Sequence, residues 1–129
     1  MIQKYIITLD KTKRILIVDD EYDICLVIKI VLERNGFLVD YYYNPIKAHD
    51  EFKFNFYDLI ILDIQMPDMN GIQLYREIRK KDKLVKTCFL TASETIPEIT
   101  KDFFSVFTII KKPIENNDLI RIVNHLLNN

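Results

Sequence analysis

The chain has 129 residues, 49% hydrophobic and 29% charged, with only two glycines, which fits one compact domain with a real core and leaves no room for a second. Its formal net charge is -1 and its pI about 6.1; with no basic stripe, neither nucleic acid nor an anionic membrane is an expected direct partner. No apolar run approaches the roughly 20 residues of a membrane span, and the apolar stretch near the N-terminus is too short for a signal peptide, so a cytoplasmic location is expected.

Met1 to Thr12 alternates loosely and reads either as an added edge strand or as a mobile arm, so residues 1–13 are set apart from a domain at 14–129. Arg14-Ile15-Leu16-Ile17-Val18 is a continuous, β-branched run and therefore strand-like, and it ends in Asp19-Asp20-Glu21. From Tyr22 to Asn35 the residues Ile24, Val27, Ile28, Val31 and Leu32 recur at helical spacing, and Gly36 is the stop. Cys25 here and Cys88 further on lie in apolar segments, as small buried hydrophobes do, and form no metal or disulfide pattern.

Phe37 to Tyr43 predicts strand 2, and Asn44-Pro45 predicts an N-cap followed by proline at the first position of a helix running to about Phe54. Leu59-Ile60-Ile61-Leu62 has the apolar character of a strand buried on both faces, and it stops at a carboxylate, Asp63. Met66-Pro67-Asp68-Met69-Asn70-Gly71 is turn chemistry in which Asn and Gly tolerate left-handed geometry; a third helix then runs from Gly71 to about Lys81. The basic stretch Arg79 to Lys83 reads as its C-terminal end.

Val85 to Leu90 predicts strand 4, ending at Thr91-Ala92-Ser93, and Thr95 to Phe104 a weaker helix with Pro97 tolerable only in its first turn. Val106 to Ile110 predicts strand 5, ending in Lys111-Lys112-Pro113, and the last helix runs from about Glu115 to Leu127. Alternating strands and helices predict an α/β, flavodoxin-like, doubly wound five-stranded parallel sheet in the order 2-1-3-4-5, with helices on both faces. Ligands of such sheets bind beyond the carboxyl ends of the strands.

In that order Asp19, Asp20 and Asp63 converge in one crevice, with Thr91 and Lys112 arriving from the tips of strands 4 and 5. Three carboxylates against one ammonium leave an excess of negative charge that a divalent cation would relieve. Oxygen ligands alone suit Mg²⁺, or Mn²⁺, better than zinc. Such an ion would let a phosphoryl group approach a carboxylate while Lys112 and Thr91 take its oxygens, which is aspartyl-phosphate chemistry. Taken singly, the acids after strand 1 would cap a helix, Thr91 would be a strand-end hydroxyl and Lys112 a surface lysine; Asp63 fits no such role, because ending an apolar strand in a carboxylate is costly without a partner. His49 and His125 read as surface residues.

V-D-D-E after strand 1, L-D-I-Q-M-P-D-M-N-G after strand 3, L-T-A after strand 4 and K-P after strand 5 together resemble a response-regulator receiver domain, of CheY-like fold, over roughly Arg14 to Leu127. The resemblance implies that Asp63 is the phosphoacceptor, Asp20 the principal metal ligand, Asp19 an outer ligand acting through water, and the backbone carbonyl of Gln65 a third protein ligand. It implies that Thr91 and Lys112 sense and pair with the phosphate, and that the Lys112–Pro113 peptide is cis. The function it implies is that of a two-component signalling module and not of a turnover enzyme. A sensor histidine kinase or phosphotransfer protein would phosphorylate Asp63, and an unknown output protein would read the surface of the Thr95–Phe104 helix, strand 5 and the last helix. The chain would be a monomer or a phosphorylation-dependent dimer. Two departures bear on output: Ile109 stands where the family carries an aromatic three residues before the lysine, and Phe103 to Phe107 lacks the usual small turn. Phe107, on the same strand face as Ile109, is the candidate for the missing ring.

The rival reading is a phosphohydrolase working through an aspartyl phosphate, but its signature needs a second Asp where Gln65 stands. A flavodoxin-type FMN site would need a Ser-, Thr- and Gly-rich loop after strand 1, where Asp19, Asp20 and Glu21 would repel a phosphate.

Overall fold

The computed structural model describes residues 12–92 and 107–128. The N-terminal arm up to Lys11 and the helix expected at Thr95–Phe104 lie outside the described residues.

Five strands form one parallel sheet in the expected order 2-1-3-4-5: β1 (Arg14–Val18), β2 (Leu38–Tyr42), β3 (Leu59–Asp63), β4 (Lys86–Thr91) and β5 (Thr108–Lys111). The described helices are α1 (Tyr22–Arg34), α2 (Pro45–Glu51), α3 (Gly71–Lys81) and α4 (Asn116–Leu127). β3 is buried at every position and β1 at all but its first, which accounts for their unbroken apolar runs. Alternate side chains enter opposite cores. On one face Ile15, Ile17, Leu59, Ile61, Cys88, Leu90 and Ile110 pack against Cys25, Ile28 and Leu32 of α1 and Leu119 and Val123 of α4. On the other, Leu16, Val18, Ile60, Leu62 and Phe89 meet Ala48 of α2 and Leu74 and Ile78 of α3.

The helix ends follow their sequence signals. Gly36 takes a φ of +90°, and Phe37 and Gly36 N–H donate to the carbonyls of Leu32 and Glu33, closing α1. The Asn44 side chain accepts from Ile46 and Lys47 N–H, with Pro45 at the first helical position. Asn70 and Gln73 form a reciprocal capping box at the start of α3.

α2 ends at Glu51, short of the expected Phe54. Phe52 turns extended, with its ring 5.8 Å from that of Tyr57, and Asn55, at φ +58°, donates its N–H to the buried Asp82. This tertiary hydrogen bond and ring contact outweigh one further helical turn. In the loop after β3 the left-handed residue is Asp68, at φ +69°; Asn70 is instead an extended cap and Gly71 is helical.

Candidate functional site

The register of the sheet lines up four strand tips. Val18 pairs with Leu62, Asp63 with Leu90 and Thr91 with Lys111, so the residues closing β1, β3, β4 and β5 lie along one edge. Asp63, 3% exposed, is the last residue of β3, and Asp19, fully buried, follows β1. Thr91, also 3% exposed, ends β4, and its carbonyl accepts from Lys112 N–H at 2.8 Å. The Lys112–Pro113 peptide is cis, as expected.

Asp19, Asp20 and Asp63 each present a carboxylate oxygen to one point, all three atoms lying within 4.8 Å of one another. The Lys112 ammonium reaches into the same crevice, 2.6 Å from Asp19 Oδ2, 3.0 Å from Glu21 Oε1 and 3.5 Å from Asp63 Oδ1. Burial first, then the neighbouring Asp19 charge, pushes the Asp63 carboxyl up to about 7 despite Lys112. Burial likewise raises Asp19, opposed by its bonds to Lys112 and to the Glu21 N–H. Lys112 is raised above the ordinary lysine value because its hydrogen bonds to Asp19 and Glu21 outweigh its burial.

Asp19 Oδ2 is buried with the Lys112 ammonium 2.6 Å away as its ion-pair partner. Three carboxylates converging against that single ammonium, in a cluster offering only hard oxygen donors, fit a small divalent cation such as Mg²⁺. Gln65, two residues beyond Asp63, is exposed in the loop before α3. That loop is closed by the Gly71 N–H on the Ile64 carbonyl at 3.0 Å.

Three residues of the site carry more than their sequence signals declare. Gly71 brings α3 so close to β3 that a Cβ there would lie 2.2 Å from the backbone oxygen of Asp63. Cys25, on the inward face of α1, donates its thiol to the Asp19 carbonyl at 3.2 Å, and burial pushes it up to about 12, which makes it part of the site's floor and no nucleophile. Glu21 reads as a helix cap, yet its side chain caps nothing and reaches Lys112. The signal available for Cys25 was its place on the buried stripe of α1; for Glu21 there was none, because the contact spans 91 positions.

The family description "Response regulator receiver domain" matches residues 15–124. The chain belongs to that family. Among solved structures, this receiver domain is similar to the response regulator TrrA of Thermotoga maritima in complex with Mg²⁺ and BeF, at 34% identity and a TM-score of 0.76 over 90% of this chain and all of that one. It also resembles a Francisella response regulator receiver domain, with 27% identity and a TM-score of 0.77 over 91% of this chain and 98% of the other. An uncharacterized transcriptional regulatory protein of Bacillus subtilis, YkoG, is 32% identical over 107 residues, 82% of this chain and 47% of its own length. The response regulator ArlR of Staphylococcus haemolyticus is 29% identical over 113 residues, 88% of this chain and 52% of its own. The chain thus spans about half the length of the curated relatives it matches. The receiver fold, its place among two-component response regulators and an acidic cluster that fits a phosphoacceptor site agree with the expectation from the strand-tip motifs, and nothing favours the phosphohydrolase alternative.

Proposed function

We propose that Asp63 accepts a phosphoryl group, from a sensor histidine kinase or a phosphotransfer protein, in a reaction dependent on Mg²⁺ or Mn²⁺. The observation that carries this reading is the convergence of Asp19, Asp20 and Asp63 on one point beside the Lys112 ammonium. Asp20, Asp63 and the backbone carbonyl of Gln65 would hold the ion, with Asp19 acting through water. When bound, the ion supplies the positive charge that lets a phosphoryl group approach a carboxylate. Asp63 forms the new O–P bond as the donor's P–N bond breaks, and the pair of electrons leaves with the donor imidazole. Lys112 pairs with the phosphoryl oxygens, and the Thr91 hydroxyl, at the adjacent strand tip, donates a hydrogen bond to one of them.

Residues 14–129 constitute the receiver domain and residues 1–13 a preceding arm. The protein acts in the cytoplasm, as a monomer or a phosphorylation-dependent dimer, and catalyses only its own phosphorylation and dephosphorylation. Output passes to a partner or further segment through the surface of β5, α4 and the segment Thr95–Phe104. That the match covers only 47% of YkoG, described as a transcriptional regulatory protein, supports a receiver that governs a separate output element, and the net charge of -1 with no basic stripe supports a receiver that does not itself contact nucleic acid. The test is intact mass after incubation with acetyl phosphate. The expected result is one Mg²⁺-dependent phosphoryl adduct, stable in acid and labile in base, and lost in Asp63→Asn, since an amide is neither nucleophilic nor a good ligand for a hard metal. An adduct persisting in that variant would overturn the assignment.

A further inference from the structure

Glu21 occupies the N-cap position of α1, yet its side chain makes no capping hydrogen bond. Asp19 meets the local demand instead, its Oδ1 accepting from the Glu21 N–H at 2.9 Å. The Glu21 carboxylate is 60% exposed and turns away from its own helix to accept a hydrogen bond from Lys112 Nζ at 3.0 Å. The ammonium therefore stands between Asp19 and Glu21, closer to both than to Asp63 at 3.5 Å. A long side chain with three N–H donors is fully engaged only where acceptors surround it, and here two of its three carboxylate neighbours lie on the β1–α1 side.

We infer that Glu21 is a positioning residue that seats the Lys112 ammonium on the β1–α1 side of the crevice and withholds it from Asp63 until a phosphoryl group competes for it. The inference rests on the reading that Lys112 pairs with the phosphoryl group. Occupation of Asp63 then requires the ammonium to leave the Glu21 carboxylate, so Glu21 opposes phosphoryl uptake through reach as well as charge.

Reach and charge separate in two variants. Glu21→Gln removes the charge and keeps the length; Glu21→Asp keeps the charge and withdraws the carboxylate by roughly 1.5 Å. The first measurement is the ¹⁵Nζ and ¹³Cε signals of Lys112 in the metal-free protein, which a merely structural role for Glu21 would not move; both variants should shift them. The second is the affinity for beryllofluoride, a phosphoryl mimic, in Mg²⁺, which both variants should raise by about two- to fivefold, the scale of a partly exposed ion pair. Unmoved Lys112 signals in either variant would overturn the inference. So would unchanged or weaker beryllofluoride binding in either, including tighter binding in Glu21→Gln alone, which would reduce Glu21 to a through-space charge. If wild type and variants alike take up no beryllofluoride, the phosphoacceptor reading itself fails, and the withholding role with it, whatever the Lys112 signals do.

Discussion

A methyl group at position 71 would lie 2.2 Å from the backbone oxygen of Asp63 and 3.1 Å from the Ile64 Cα, so backbone would have to move to admit it. At Gly36 nothing lies within 4 Å, and what demands glycine is a φ of +90°. Gly71→Ala should therefore cost about 3 kcal/mol, at the upper end of the range for overpacking, and displace Asp63. Gly36→Ala should cost about 1 kcal/mol of backbone strain and leave the site intact. Urea melts together with Mg²⁺ titrations of both variants check the pair; equal losses, or normal Mg²⁺ binding in Gly71→Ala, would contradict the close-approach argument. Asp20 lends itself to the opposite experiment. It is exposed and crowded by two buried carboxylates, so Asp20→Ala should weaken Mg²⁺ binding while the melting temperature of the metal-free protein rises or stays level. A large fall would mean that Asp20 chiefly serves the start of α1.

β5 shows how an element carries consequences that its own sequence only half declares. Phe107, just ahead of the strand, and Ile109 both pack into the core beneath α3, while Ile110 enters the opposite core, as period-two alternation requires. The Phe107 ring lies 5.3 Å from Phe89 and 5.1 Å from Tyr75, and Tyr75 lies 5.9 Å from Phe89, all edge to face. That cluster supplies an aromatic next to the strand carrying Thr91, where Ile109, stiff at χ1, has no ring to move. Phe107→Leu should lose about 1 to 2 kcal/mol, given the ring contacts with Tyr75 and Phe89 that it removes. It should also shrink the amide shifts that beryllofluoride induces around β5, read against the parent; an unchanged response would confine Phe107 to the core. The strands and helix ends were legible because each rests on local chemistry: an apolar run, an Asn-Pro start, a glycine stop. α2 was overrun because the contacts that end it, Asn55 on Asp82 and Phe52 on Tyr57, join segments that only the fold brings together. The site divides the same way. Asp63 was legible as a carboxylate closing a buried strand, whereas the shared seat of Lys112 on Asp19 and Glu21 follows only from the fold, which brings the turn after β5 against the start of α1.

For the whole molecule, the crowded carboxylates make the metal-free protein's stability depend on pH in a sense opposite to that of an ordinary salt-bridged acid. The folded state holds the Asp63 proton up to about 7, whereas the unfolded chain releases it near 3.8. Between those values the folded state binds more protons than the unfolded one, so stability falls as pH rises. The contribution is fully present below about 3.8 and gone above about 7. Asp19, raised by burial, acts in the same direction. Lys112 does not alter the slope in this window: its raised value gives stability fully present below the ordinary 10.5 and lost only far above it. One proton taken up across the transition changes stability by at most about 1.4 kcal/mol per pH unit. Asp63→Asn removes the main titrating group, so the metal-free variant should be more stable than wild type at pH 8 and converge with it near pH 4. Saturating Mg²⁺ acts the other way, because a cation binds the deprotonated cluster; its stabilisation of the wild type should be larger at pH 7.5 than at pH 5. Chemical denaturation across pH 4 to 8, with EDTA and with Mg²⁺, measures both slopes. A metal-free stability that rose through pH 5 to 7 in wild type and in Asp63→Asn alike would show that the buried cluster does not govern the titration.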